Sequence, residues 1–213
     1  MTTPHLAAVR TSYDTVVADY LRLVPAPEDM DPWSRAMLAA FAELVGEQPR
    51  PVADLGCGPG RVTAYLARLG VRGAYGVDVS GGMVATARRL HPELRFVQGD
   101  MAALDEPDGA LGGILAWYSV HHTPADELPA LLAEFRRVLA PGGHLLLGGH
   151  VGEGVRRPTE AYGGNPVSYA SHLVPADHLA ELLAGAGFTV AGRMEQPRPG
   201  HPTGGYVAFL AEG

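Results

Sequence analysis

The run Asp54-Leu55-Gly56-Cys57-Gly58-Pro59-Gly60 holds the residue types best suited to chemistry in this 213-residue chain. A short apolar stretch, 52–55, runs into three glycines at alternate positions, and a helix-forming segment follows from Arg61. Glycines accept positive φ and let a ligand approach the backbone. The start of the next helix supplies unpaired N–H groups and a positive dipole end, which suit a carboxylate or phosphate. In the dinucleotide fingerprint Gly-x-Gly-x-x-Gly, counted from Gly56, the last glycine would fall at position 61, where Arg61 stands. The spacing is Gly-x-Gly-x-Gly instead, so a dehydrogenase is disfavoured. A second carboxylate, Asp78, stands 24 positions after Asp54 at the end of another apolar stretch. Its two oxygens match two adjacent hydroxyl hydrogens, such as those of a ribose, or alternatively the start of a helix. A third, Asp100, follows Phe96-Val97-Gln98-Gly99 and either accepts from an amino group or caps the short turn before Leu104.

Three histidines are the candidate bases. His121 and His122 follow one expected strand and His150 another, so they should face one crevice. Imidazole titrates near neutral pH, which suits removal of a proton from a phenol or hydroxyl; packing or capping roles are the alternative. No carboxylate or cysteine stands at ligand spacing to them, and no metal is expected. Tyr13 and Tyr20 are seven positions apart, hence on one helical face, which either covers a ligand or simply docks on the sheet. Cys57 is the only cysteine, which excludes an intramolecular disulfide and a cysteine-rich zinc site. All 16 Lys+Arg residues are arginine, which excludes Schiff-base chemistry on a lysine.

Positioning these residues takes an alternation of strands and helices. Apolar periodicity predicts a helix over 11–23 and a second one with Pro32 in its first turn. Strands are expected at 52–55, 74–79, 94–98, 111–117 and 144–148, with helices at 61–69, 82–90 and 128–139 between them and a Pro141-Gly142-Gly143 turn before the last strand. That order implies a parallel sheet covered on both faces. The stretch 150–174 has no clear period and reads as a long loop or lid; Tyr162, Asn165, Tyr169 and His172 in it are candidate substrate-pocket residues. A helix at 177–186 and strands at 188–192 and 206–211, a hairpin, close the chain. The organisation expected is one domain: 1–48 a helical cap, 49–149 a cofactor-binding core, 150–174 a substrate loop, and 175–213 the closing helix and hairpin.

Asp-Leu-Gly-Cys-Gly-Pro-Gly resembles the first motif of class I S-adenosylmethionine-dependent methyltransferases. Gly76-Val77-Asp78-Val79-Ser80, Phe96-Val97-Gln98-Gly99-Asp100-Met101, Leu139-Ala140-Pro141-Gly142-Gly143-His144-Leu145 and Ala186-Gly187-Phe188 are similar to later motifs of that family, in order, and Ala116-Trp117-Tyr118-Ser119-Val120-His121-His122 occupies its fourth-strand position. The resemblance covers about residues 50–211. It implies a Rossmann-like α/β fold: a mostly parallel seven-stranded sheet, made mixed by the last hairpin, with flanking helices and an N-terminal helical cap. It implies that Gly56, Cys57, Gly58 and Gly60 pass under the methionine part of S-adenosylmethionine and that Asp54 orients its amino group. Asp78 would take the ribose, Val79 or Met83 the adenine face, and Asp100 with Met101 the adenine amino group. Trp117, at the end of the fourth strand, would line the site, and Tyr13 and Tyr20 would cover the cofactor. The Asn/Asp-Pro-Pro-aromatic motif of the amino-group branch is absent, as is the aspartate of the metal-dependent catechol branch.

The expected reaction moves a methyl group to oxygen, nitrogen or carbon of a small-molecule metabolite and leaves S-adenosylhomocysteine. A cyclase or isomerase using the same pocket, or a non-catalytic cofactor-binding regulatory protein, are the alternatives. The formal net charge of −7 argues against nucleic acid as a partner. No apolar run is long enough to span a bilayer and no secretory signal stands at the start, so no membrane partner and a cytoplasmic location are expected. A monomer or homodimer is expected.

Overall fold

The structure is a computed structural model that describes residues 3–46, 49–197 and 204–213. The chain opens with helix α1 (Pro4–Leu23), a 3-10 turn (Pro27–Asp29) and α2 (Pro32–Gly46). Then come β1 (Val52–Leu55), α3 (Arg61–Arg68), β2 (Ala74–Asp78), α4 (Gly81–Leu90), β3 (Arg95–Gln98), β4 (Leu111–Trp117), a 3-10 turn (Val120–His122), α5 (Leu128–Val138) and β5 (Leu139–Val151). An arm of short strands follows: β6 (Gly154–Arg156), β7 (Glu160–Ala161), β8 (Asn165–Pro166) and β9 (Ser171–Leu173). Helix α6 (Ala176–Gly185) and strands β10 (Thr189–Pro197) and β11 (Gly205–Glu212) complete it.

The seven-stranded sheet has the order β3-β2-β1-β4-β5-β11-β10. Strands β1 to β5 pair in parallel, and β11 lies antiparallel between β5 and β10. This is the mostly parallel seven-stranded sheet that the resemblance implies, made mixed by its final hairpin. Chain direction across the sheet reverses between β1 and β4, and in such sheets the crevice beyond the strand C-termini at that reversal is where ligands bind.

Alternation along the strands decides the two faces. Ala53, Leu55, Ile114, Ala116, Leu145 and Leu147 point to one face, against Leu131, Leu132 and Phe135 of α5 and Leu183 of α6. Val52, Leu115, Trp117 and Leu146 point to the other, against Leu38, Phe41 and Val45 of α2. Helix α1 packs separately: Val9 and Val16 form a cluster with Met83 of α4 and with Val167 and Tyr169 of the arm. Among the described residues no helix is long and apolar enough to cross a membrane.

Four expectations change. Helix α1 begins at Pro4 rather than at 11, because proline is favoured at a first helical position and Leu6 and Val9 continue the apolar face of Tyr13 and Val16. The stretch 150–174 is not a structureless loop: β6 pairs with β9 and β7 with β8, giving an antiparallel arm folded on itself. Pro141-Gly142-Gly143 does not precede β5 but forms a bulge within it. Leu111 pairs with Leu139 and Gly113 already with His144, and the extra residues bond the chain end through Gly142 N–H to Gly213 O at 2.9 Å. The closing strands also run longer than 188–192 and 206–211.

Candidate functional site

The glycine turn leaves β1 beside the end of β4, at the reversal of the sheet. Gly56, Gly58 and Gly60 all have positive φ, at 77°, 53° and 78°. What lies over them differs. A methyl group on Gly56 would meet Ser119 Cβ at 2.3 Å, and one on Gly60 would meet Phe96 Cζ at 2.6 Å, whereas one on Gly58 would meet nothing within 4 Å. Gly56 and Gly60 are therefore glycines because the protein crowds them, and only Gly58 faces open space. The Cys57 thiol packs with Val84, Ala87 and Phe96, and burial pushes its pKa well up. Gly60 starts α3 and lies outside the lining of the three cavities described next.

Asp78 flanks this turn. Its Oδ2 accepts from Gly58 N–H at 2.7 Å and its Oδ1 from Ser80 N–H at 2.8 Å. Two backbone donors thus fix the carboxylate while each oxygen keeps further lone-pair capacity. Burial raises its pKa to about 6, against the pull of those two donors. The helix-capping alternative for Asp78 is overturned: Ser80 caps α4, accepting from Met83 N–H at 3.0 Å. Asp54 is buried, accepts Thr63 Oγ1–H at 2.6 Å, and is pushed up to about 7, chiefly by burial and further by the charge of Asp78. Asp100 does cap its turn, accepting from Ala102 N–H at 2.9 Å.

Three adjoining cavities surround the turn. The first, about 180 Å³, is lined by Asp78, Val79, Met83, Asp100 and Met101 among others. The second, about 470 Å³, is lined by Asp54, Cys57, His121 and His150 among others. Tyr13, Tyr20, Gly56, Trp117 and Tyr118 border both. The third, about 520 Å³, lies under the arm and shares Tyr13, His121, His150 and Tyr162 with the second. The expected residues other than Gly60 therefore converge, with His122 beside Asp78 on the first cavity and His121 and His150 beside Asp54 on the second. Of the arm residues, Tyr162 and Tyr169 line the third cavity; Asn165 and His172 line none of the three. Asn165 instead donates to Asp19 Oδ2 at 2.8 Å and to Tyr162 O at 2.7 Å, holding the arm to α1.

The three histidines are not equivalent. His122 is engaged at both nitrogens: Nδ1 lies 3.0 Å from Ala170 O and Nε2 2.9 Å from Tyr13 Oη. A carbonyl only accepts, so Nδ1 carries the proton and Nε2 accepts from the Tyr13 hydroxyl. Burial holds His122 down to about 4, and burial with two histidine neighbours holds His121 well below its ordinary value. His121 Nδ1 is buried without a hydrogen-bond partner, and its ring centroid lies 4.2 Å from that of His122 and 5.3 Å from that of His150. Tyr13 stacks on Tyr169, with centroids 5.7 Å apart and planes at 10°. Among the described residues no group of three or more His, Cys, Asp or Glu side chains is arranged to hold a metal ion.

Two residues that tie the site together, Asp14 and Arg61, had no signal in the sequence. Asp14, on α1, accepts Ser80 Oγ–H at 2.6 Å and Gly82 N–H at 2.9 Å, tying the cap helix to the start of α4. Arg61 donates to the carbonyls of Val24, at 2.6 Å, and Leu21, fixing the far end of α1 beside the glycine turn. Tyr118 adopts φ 56°, a strained value for a bulky residue. Its ring edge meets His150 at 5.1 Å between centroids. Among the described residues Ser119 Oγ, beside Gly56, and Trp117 Nε1, at the end of β4, are buried without hydrogen-bond partners. Strain and orphaned polar atoms at one strand end mark a site that a ligand completes.

A fold of this order with a carboxylate-flanked glycine turn at the sheet reversal defines a Rossmann-like nucleoside-binding domain. Residues 52–143 match a family model described as "Methyltransferase domain". Trans-aconitate 2-methyltransferase of Methylobacterium nodulans is 43% identical over 137 residues, covering 62% of this chain and 48% of that protein. The chain spans about half the length of the curated relatives it matches. Among solved structures, 1,6-didemethyltoxoflavin-N1-methyltransferase of Burkholderia thailandensis, with 1,6-didemethyltoxoflavin and S-adenosylhomocysteine bound, is 26% identical with a TM-score of 0.63, covering 100% of this chain and 91% of that one. The [4+2]-cyclase SpnF shares the fold at a TM-score of 0.75 and 21% identity, covering 100% and 97%. Residues 52–143 are thus similar to a methyltransferase domain, and the fold is the one shared by S-adenosylmethionine-dependent methyltransferases.

Proposed function

We propose that the protein transfers a methyl group from S-adenosylmethionine to oxygen, nitrogen or carbon of a small molecule. The observation that carries this reading is the pairing of Gly58, whose Cα faces open space, with the Asp78 carboxylate fixed beside it by two backbone donors. The residues present fit the cofactor. Asp78 would hold the ribose hydroxyls, Val79 and Met83 the adenine face, and Asp100 with Met101 its amino edge. Asp54, Gly56 and Gly58 would lie along the amino-acid part, and Tyr13, Tyr20 and Trp117 would cover it. When bound, the sulfonium supplies the electrophilic methyl group.

The chain's own contribution is alignment, exclusion of water and, for an acceptor that must lose a proton, a base. His121 and His150 border the second and third cavities and take that role. His121 is held neutral by burial, the state a base requires. His122, committed to Tyr13 and Ala170, positions the cap and the arm. Relatives named for trans-aconitate, demethylmenaquinone and fatty-acid substrates support a small-molecule acceptor. The net charge of −7 is in keeping with an acceptor other than nucleic acid.

Calorimetric titration with S-adenosylhomocysteine, with nicotinamide adenine dinucleotide as control, tests the cofactor assignment: binding of the first alone is expected, and binding of the dinucleotide alone would overturn it. His121→Ala should lower turnover while leaving S-adenosylhomocysteine affinity intact. The fold is shared with a cyclase as well as with methyltransferases, so mass analysis of the product for one added methyl group separates the two chemistries.

A further inference from the structure

We propose that the third cavity seats an anionic group of the acceptor, a carboxylate or a phosphate, held by Arg156 and Arg157. This deepens the methyl-transfer reading, on which it rests for the place of the cofactor. The cavity adjoins the second one through Tyr13, His121, His150 and Tyr162, so a molecule lying along both would reach from the glycine turn to the arm. Both arginines line it, Arg156 from β6 opposite Ser171 of β9, and Arg157 from the residue that follows.

Charge distinguishes this cavity from its neighbours. The first is lined by Asp78, Asp100 and Glu127 and the second by Asp29, Asp31 and Asp54, whereas no carboxylate lines the third. Of its two histidines His121 is held neutral by burial, and the fixed positive charge comes from the two guanidinium groups. Neither forms an ion pair within 4.0 Å among the described residues, although Glu153 and Glu160 stand three positions from Arg156 and Arg157 respectively. Arg22 pairs with Asp19, Arg68 with Glu28, Arg137 with Glu134 and Arg193 with Asp177, while Arg61 and Arg88, without an ion pair among the described residues, donate to backbone carbonyls. Two adjacent uncompensated arginines in a chain of net charge −7 form a local reversal of the field, which draws an anion in and repels the cofactor's positive sulfonium. A guanidinium fork matches the paired oxygens of a carboxylate or phosphate, and the Tyr162 and Tyr169 rings supply an apolar wall beside it.

The test titrates the S-adenosylhomocysteine-loaded protein with benzoate, phenyl phosphate and benzamide. Benzoate or phenyl phosphate, or both, should bind and benzamide should not, and the stronger of the two anions identifies the group. Arg156→Ala/Arg157→Ala should weaken anion binding about tenfold or more, with S-adenosylhomocysteine affinity unchanged. Arg156→Lys/Arg157→Lys should recover part of it. Equal binding of benzoate and benzamide, no binding of either anion, or unchanged anion affinity in the alanine variant overturns the proposal. Loss of S-adenosylhomocysteine binding in the wild type, with anion binding kept, would overturn the cofactor reading instead and leave the anion seat standing.

Discussion

The glycine turn after β1 and the arm after β5 border the same second cavity, yet they are held in different ways. The turn is held by backbone. Gly58 and Ser80 N–H fix Asp78, Val77 O accepts from Gly56 and Cys57 N–H at 2.8 and 3.1 Å, and Ser119 closes over Gly56. The arm consists of ladders two and three residues long, held to the rest largely by side chains: Asn165 to Asp19, His122 to Ala170 O, and Ser12 Oγ accepting Ser168 N–H at 2.9 Å. Main-chain geometry tolerates little sequence change, whereas side-chain ties can be exchanged one at a time. On the function proposed above, cofactor binding would fall to the rigid part and acceptor choice to the replaceable part.

That contrast can be broken most sharply within the turn itself. Gly56→Ala combines a left-handed backbone with a collision at Ser119 and should cost about 3 kcal/mol of stability or more, read by urea denaturation. Gly58→Ala meets open space and should cost only about 1 kcal/mol of stability. It should nonetheless lose S-adenosylhomocysteine binding; wild-type affinity there would remove the turn from the cofactor site. Asp78→Ala should weaken S-adenosylhomocysteine by about 1–3 kcal/mol while leaving benzoate binding alone, which a calorimeter would read in one series.

The buried carboxylates and histidines around the turn should also respond to pH with opposite sign. Asp54 and Asp78 are raised to about 7 and about 6, so the folded state keeps protons that the unfolded chain has released. Their contribution to stability therefore falls as pH rises from about 4 to about 7. His121 and His122, the latter at about 4, refuse protons that the unfolded chain takes up, so theirs falls as pH drops below about 6.5. Between pH 5 and 7, Asp54→Asn should gain and His122→Gln should lose about 1–2 kcal/mol of stability relative to the wild-type slope. Parallel slopes in all three proteins would show that these groups are not buried as described. The smallest effect is expected from Tyr13→Phe, which removes the hydroxyl bonded to His122 and should cost about 1 kcal/mol by thermal denaturation.

Much of the rigid side was legible in the sequence because its constraints are local. Alternating glycines, an apolar run before them and a carboxylate 24 positions on leave few ways to fold, and the strands at 52–55 and 111–117 have the expected bounds. The arm was not legible because strands of two or three residues are too short to show a period. The Pro-Gly-Gly bulge was read as a turn because its backbone chemistry is the same in both; only the pairing with β4 tells them apart. Long-range ties left no trace at all. Tyr13 and His122 are 109 positions apart, and Asp14 and Ser80 are 66 apart. Nothing near Asp14 distinguishes it from an ordinary surface carboxylate on a helix. Which of the histidines is committed likewise depends on Ala170 O, a backbone atom of the arm.

Cys57 carries a practical consequence. The single thiol is packed under α4 and its ionisation is suppressed by burial, so alkylating reagents, which attack thiolate, find little to modify in the native state. The wild-type chain is thus already a silent background for fluorophore or spin labels. A cysteine introduced at exposed Leu23, and a second at exposed Val155 on the arm, would report the spacing between cap and arm without any native residue having to be removed.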